Sequence, residues 1–257
     1  MDRFEAIFNR HSVRSYDFKD ITPGMLEDIK GYALNADTLG LSGNLELNFI
    51  NNTDKIAQNH LFKGLVGQYG SVTAPYYMHC RASQSSYADI FTGICLETAV
   101  LDCTRYGIGT CWIGIPLNND YINGVLGESY DTTNQIMLAL GFENKANTYQ
   151  PTKRKDISDI VQGNASPQAL KLIEAARVAP SSMNSQPWMF TVEGDRIILS
   201  VKKRGASRLS QTLAHLNRID AGIALCHISV AAKHYSIELS YTLLDNDKGE
   251  IMAIDIL

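Results

Sequence analysis

The feature that most constrains this 257-residue chain is that it repeats itself. Gly93-Ile94-Cys95-Leu96 returns 129 residues later as Gly222-Ile223-Ala224-Leu225, and at the same offset Tyr106-Gly107-Ile108 meets Tyr235-Ser236-Ile237. Both stretches carry Ala, Val, Leu or Ile on nearly every side of a helical wheel, so each reads as a helix buried all round. A second echo stands upstream of each. Pro23, Leu26 and Ile29 match Pro167, Leu170 and Ile173 in spacing, with Pro opening an amphipathic helix in both copies. Each half then runs helix, loop, strand, central helix, strand. The halves meet in the polar stretch Asn144–Gln162, which gives a first half of residues 1–150 and a shorter second half of 151–257 forming one compact unit with it.

Strands are expected at Leu45–Ile50, Tyr76–Cys80, Thr110–Ile115, Gln135–Gly141, Met189–Val192, Arg196–Val201, Ile237–Leu244 and Glu250–Ile256. They alternate with helices without strict βαβ regularity, which points to α+β layers and away from a doubly wound parallel sheet. The chain is 45% hydrophobic and 19% charged, enough to bury a sizeable core.

Charge and motifs narrow the function. Twenty-three Lys and Arg against 27 Asp and Glu exclude a broadly basic nucleic-acid binder. No apolar run approaches the roughly 18 residues of a membrane span. Met1-Asp2-Arg3-Phe4-Glu5 lacks the apolar core of a signal peptide, so a cytoplasmic enzyme is expected. Five cysteines with no CxxC pair fit neither a disulfide framework nor a zinc ribbon. Cys95 and Cys103 read as buried hydrophobes. GxSxG, GxxxxGK[ST] and HExxH are absent, and no acidic cluster suggests a metal.

Three stretches have compositions that do not suit mere packing. In Arg10-His11-Ser12-Val13-Arg14-Ser15-Tyr16 an extended backbone would put Arg10, Ser12 and Arg14 on one side, suiting an anion such as phosphate or, equally, a solvated basic turn. Ala179-Pro180-Ser181-Ser182-Met183-Asn184-Ser185-Gln186-Pro187-Trp188 offers donors and acceptors beside Met183 and Trp188, as a loop embracing a planar heterocycle would; an ordinary connector has the same composition. Tyr106-Gly107-Ile108-Gly109-Thr110-Cys111-Trp112-Ile113-Gly114 has a helix-ending Gly107, while Gly109 and Gly114 would let backbone amides approach a ligand. Its glycine spacing is not GxGxxG, and no His or Asp is placed to activate Cys111.

Together RHSVRSY, GIGTCWIG and APSSMNSQPW resemble the flavin-dependent nitroreductase family, whose subunits pair to build FMN sites at their interface. The motifs are distributed unusually. The arginine-serine motif and glycine turn lie in the first half and PSSMNSQPW in the second. The first-half counterpart of that loop, Gly40–Glu46, has lost Gln-Pro-Trp, and the second half lacks both the arginine-serine motif and GTCW. The chain thus resembles a family dimer fused into one polypeptide with a nitroreductase-like fold.

That resemblance implies one FMN site per chain and, with both halves present, a monomer. Arg10, His11, Ser12 and Arg14 would hold the phosphate, ribityl chain and pyrimidine edge. Ser181, Ser182, Met183, Asn184 and Gln186 would come from the other half, with Pro180 closing the wall. The Trp112-Ile113-Gly114 backbone would lie near flavin N5. From the run Lys153-Arg154-Lys155, otherwise a solvated linker, Arg154 would reach the phosphate. Lys63 or Gln68 would support the flavin's polar edge, and the substrate lid would fall in Asn51–Gly70 or Lys202–Asn217. NADH or NADPH would donate hydride in a ping-pong cycle to a nitroaromatic, quinone or similar small acceptor, with no catalytic side chain. The alternative is an FMN-binding or flavin-storage protein without turnover.

Overall fold

The computed structural model describes residues 1–62, 72–83, 85–114, 117–127, 135–146, 151–202, 208–244 and 246–257. The first half contributes helices α1 (Arg3–Asn9), α2 (Pro23–Leu34), α3 (Ala88–Arg105) and α4 (Asn119–Leu126). Its strands are β1 (Tyr16–Asp17), β2 (Leu45–Asn51), β3 (Tyr76–Ala82), β4 (Gly109–Ile113) and β5 (Gln135–Glu143). The second half contributes β6 (Val161–Ala165), helix α5 (Pro167–Arg177), β7 (Trp188–Gly194) and β8 (Arg196–Val201). Helix α6 (Arg208–Tyr235), β9 (Leu239–Leu243) and β10 (Glu250–Ile256) complete it.

Each half carries its own five-stranded sheet. In the first, β2, β3 and β5 run antiparallel side by side, and β4 and β1 share the far edge of β5, with Thr110 opposite Leu140 and Tyr16 opposite Glu143. In the second the order is β6-β7-β8-β10-β9, antiparallel except for the parallel β6–β7 pair. Among the described residues no strand of one sheet pairs with the other. The architecture is the α+β arrangement expected.

All eight expected strands form within a few residues of their anticipated ends. The short β1 and the β6 edge were not foreseen. Val161–Ala165 is polar and largely exposed, with Gly163 at φ +95°, so it has no apolar alternation to read. The openings of α2 and α5 are alike. Thr22 caps α2 by accepting from the Met25 N–H at 3.3 Å, Ser166 caps α5 by accepting from the Ala169 N–H at 3.1 Å, and Pro follows each cap.

The all-round apolar pattern of the central helices has a plain cause: α3 and α6 cross each other in the middle of one core that spans both halves. Nearly every α3 residue from Ala88 to Cys103 is buried. Where the helices cross, Gly93 lies against Gly222, and a Cβ on either would strike the other helix's backbone. Helix α6 is already helical at Arg208, ahead of the stretch around Gly222 that repeats α3, and Leu216 and Ile219 on its early turns are buried. Among the described residues no helix is long and apolar enough to cross a membrane.

Candidate functional site

Segment Arg10–Arg14 is held extended along β4. The Val13 N–H donates to the Thr110 carbonyl at 2.9 Å, Ser12 bridges Thr110 in parallel, and the Tyr16 hydroxyl donates to the Val13 carbonyl at 2.7 Å. Gly109 is required by this contact. A Cβ there would lie 2.8 Å from Val13 Cγ2, so the glycine admits the chain's own side chain, where a ligand had been expected. Gly107 ends α3 with φ +75°, as anticipated.

The expected alternation holds for Ser12 and Arg14, which line a cavity of about 490 Å³ together with Cys111, Trp112, Ile113 and Gly114. Arg10 departs from it. It is the C-cap of α1, and its buried guanidinium turns inward, with Nε 3.9 Å from Glu97 Oε1 and Nη2 donating to Ser12 Oγ at 3.5 Å. His11 lies 2.7 Å from Glu143 Oε1, and both Arg10 and His11 border a different, more open cavity of about 740 Å³. Burial raises the Cys111 thiol, so it stays protonated and is no ready nucleophile.

The opposite wall comes from the second half: Pro180, Ser181, Ser182, Met183 and Asn184, with Arg154 beside them. The loop is strained, with φ of 50° at Met183, 53° at Asn184 and 45° at Gln186. Hydrogen bonds from the basic run hold it. Arg154 donates from Nη1 to Asn184 Oδ1 at 2.7 Å and from Nε to the Val178 carbonyl at 3.2 Å, and Asn184 Nδ2 donates to the Lys153 carbonyl at 2.9 Å. The Lys155 N–H donates to Gln186 Oε1 and its Nζ to the Gln186 carbonyl, both at 2.8 Å. Lys153–Lys155 is therefore a clamp rather than a solvated linker. Gln186 is buried behind the loop and locks it without bordering the cavity. Trp188 is a core residue and does not flank the cavity.

Asp220 was missed by the sequence reading. It lines the cavity from α6 among Leu216, Ile219 and Ile223, and accepts from the Ser182 N–H at 3.1 and 3.2 Å. Burial pushes its carboxyl up to about 8, outweighing the opposing effect of that N–H, so near neutrality it carries a proton. A lone acid on an otherwise apolar helix face was the available signal. The residue 129 positions earlier is Phe91, buried against the Gly40–Glu46 loop of its own half so closely that a Cβ on Gly43 would lie 3.0 Å from its ring.

Lys63 and Gln68 lie outside the described residues, and the lid candidates Asn51–Gly70 and Lys202–Asn217 do so in part. Among the described residues no group of three or more His, Cys, Asp or Glu is placed to hold a metal.

The cavity is thus shared between halves, has a volume usual for small-molecule sites, and combines two guanidiniums, several hydroxyls and an apolar wall. A family model described as "Putative TM nitroreductase" matches residues 2–232. A Thermotoga maritima structure of nitroreductase description superposes with a TM-score of 0.67 at 20% identity, covering 100% of this chain and 94% of that one. A variant of the FMN and NADPH-dependent nitroreductase NfnB from Sphingopyxis sp. strain HMH gives 0.50 at 16% identity, covering 63% and 99%. A Bacteroides fragilis nitroreductase with bound FMN gives 0.48 at 20% identity, covering 62% and 97%. No curated protein sequence matches the chain significantly.

Proposed function

The chain belongs to the TM nitroreductase family, and from that premise we propose that it is an FMN-dependent NAD(P)H oxidoreductase acting on a nitroaromatic, quinone or similar small acceptor. One observation carries the reading: Ser12 and Arg14 of one half and Pro180–Asn184 of the other line a single cavity with Arg154.

The donor set suits FMN. Arg14 and Arg154 offer charge, and Ser12, Ser181 and Ser182 offer hydroxyls, for a phosphate and polar ring edge. Ile113, Ile136 and Ile219 offer an apolar wall for a flat ring system. At Gly114 a Cβ would intrude to 3.2 Å from Leu216 and 3.7 Å from Ser182 Oγ, so this backbone is bare where a ring would lie. Trp112, Ile113, Gly114, Pro180, Met183 and Asn184 would frame the ring and ribityl chain, and Gln186 would act by fixing Asn184. Arg10 would act through Ser12, and His11 through the neighbouring wall, without direct contact.

When bound, FMN supplies the two-electron chemistry between nicotinamide and acceptor. The chain's own residues bind and orient. Arg14 offsets negative charge at the ring edge, and a protonated Asp220 lets an anion sit beside it without repulsion. No side chain is required to move a proton.

A single site per chain is supported by Phe91, which packs into the region of Gly43 where the second half has Asp220 beside Ser182. Fusion of both halves makes the monomer the expected state. Five buried, unpaired cysteines suit a reducing compartment, and we place the protein in the cytoplasm.

The test is the visible spectrum of purified protein with released flavin counted, followed by NAD(P)H consumption with nitroaromatic and quinone acceptors. About one FMN per chain with turnover supports the proposal. Retained flavin without nicotinamide consumption would leave a storage protein, and no FMN after reconstitution would end the flavoprotein reading.

A further inference from the structure

Behind the cavity wall three side chains from distant segments converge on Glu97 in α3. The Trp112 indole Nε1 donates to Glu97 Oε2 at 2.9 Å. His227 of α6 lies 3.0 Å from Oε1 through Nε2, while its Nδ1 is 2.9 Å from the Ala175 carbonyl. Arg10 Nε stands 3.9 Å from Oε1 and has no hydrogen-bond partner of its own, while Arg10 Nη2 reaches Ser12 Oγ. Glu97 and His227 are fully buried.

The hydrogen-bond inventory restricts this cluster. A carbonyl only accepts, so His227 Nδ1 donates to Ala175, and the Nε2–Oε1 contact holds one further proton between imidazole and carboxyl. Oε2 is then directed at the indole. Two paths lead from this one buried carboxyl to the cavity: through the indole to Trp112, and through the guanidinium to Ser12. An unshared buried carboxyl would be costly, and the three donors explain why it persists there.

We propose that Glu97 is the positioning residue of the cavity, one oxygen setting the Trp112 indole in its wall and the other, through Arg10, setting the Ser12 hydroxyl. His227 ties this arrangement to the second half, so both halves fix the first-half wall. The inference rests on the flavin reading only for its effect on affinity. The placement of Trp112 is independent of it.

Trp112 and Trp188 are the two tryptophans of the chain, so Trp188→Phe leaves the Trp112 indole as a single reporter. In that background Glu97→Gln keeps shape and an acceptor but removes the charge, and Glu97→Leu removes the acceptor. The expected result is an upfield move of the indole N–H resonance in Glu97→Gln and loss of its exchange protection in Glu97→Leu. Far-ultraviolet circular dichroism should show Glu97→Gln folded. FMN affinity measured by flavin fluorescence should fall about tenfold in Glu97→Gln, the difference between a charged and a neutral hydrogen bond. Combining Glu97→Gln with Trp112→Phe should give less than the product of the two separate losses. An unmoved indole resonance in folded Glu97→Gln, or strictly multiplicative losses, would overturn the proposal. If the unsubstituted protein binds no FMN, the flavin reading fails, and the indole resonance alone still decides the role of Glu97.

Discussion

Gly93 and Gly222 touch where the central helices cross: a Cβ on Gly93 would lie 2.9 Å from the Gly222 Cα and 2.2 Å from the Ile219 carbonyl oxygen. A Cβ on Gly222 would lie 2.1 Å from the Ile90 carbonyl oxygen. Both obstacles are backbone, which cannot turn aside as a side chain would. The two residues are also the pair that the 129-residue offset aligns.

Helix propensity favours Ala over Gly by about 1 kcal/mol, and the crossing opposes it. Gly93→Ala and Gly222→Ala should each lower stability by about 2–3 kcal/mol in denaturant titrations, because forcing the helices apart loosens the core on both sides. A stability gain in either would mean that the helices do not meet at this point.

Asp220 should make stability depend on pH. Its folded-state carboxyl titrates at about 8, whereas an unfolded aspartate titrates near about 3.9. The folded protein therefore holds a proton that the unfolded chain releases, and stability falls as pH rises from about 4 to about 8. Asp220→Asn keeps an acceptor for the Ser182 N–H and removes the titration. Its melting temperature relative to the parent should climb from pH 5 to pH 8. Parallel melting curves across that range would contradict the buried, proton-holding aspartate.

Residues from opposite halves should matter to one ligand. Arg14→Ala and Asn184→Ala should each weaken FMN binding about tenfold by equilibrium dialysis, the scale of one charge-assisted or buried hydrogen bond. Arg154→Lys should not preserve affinity, since Arg154 reaches the Val178 and Asn184 oxygens with two nitrogens of one planar group. An effect confined to one half would argue against a shared site.

The proposed internal pseudo-dimer predicts the association state. Light scattering should return a mass near 28.4 kDa, that of one chain. A concentration-independent mass twice as large would show that a second chain is needed, contrary to the proposed internal pseudo-dimer.

Much of the site was legible because its segments have compositions that packing does not explain. Ser12, Arg14, Trp112–Gly114 and Pro180–Asn184 all reach the cavity. Arg10 was misread because alternation describes an extended strand, whereas Arg10 caps α1 and turns toward a buried carboxylate 87 positions away. Gln186 stands in the motif where a ligand contact is expected, yet its amide is consumed in holding the loop. Asp220 and Glu97 carry no local sequence pattern that announces their partners, which lie 38 and up to 130 positions away.

The sequence by itself determined the two buried central helices, their capped companions and the expected strands, since periodicity and capping are written over a few neighbouring residues. Only the tertiary structure decided which segments meet. It brought Lys153–Lys155 onto the Pro180–Gln186 loop, Asp220 under Ser182, and Trp112, Arg10 and His227 around Glu97. The Glu97–His227 contact depends on the close crossing of α3 and α6, because a hydrogen bond acts over about 3 Å and the chain separates these two groups by 130 residues.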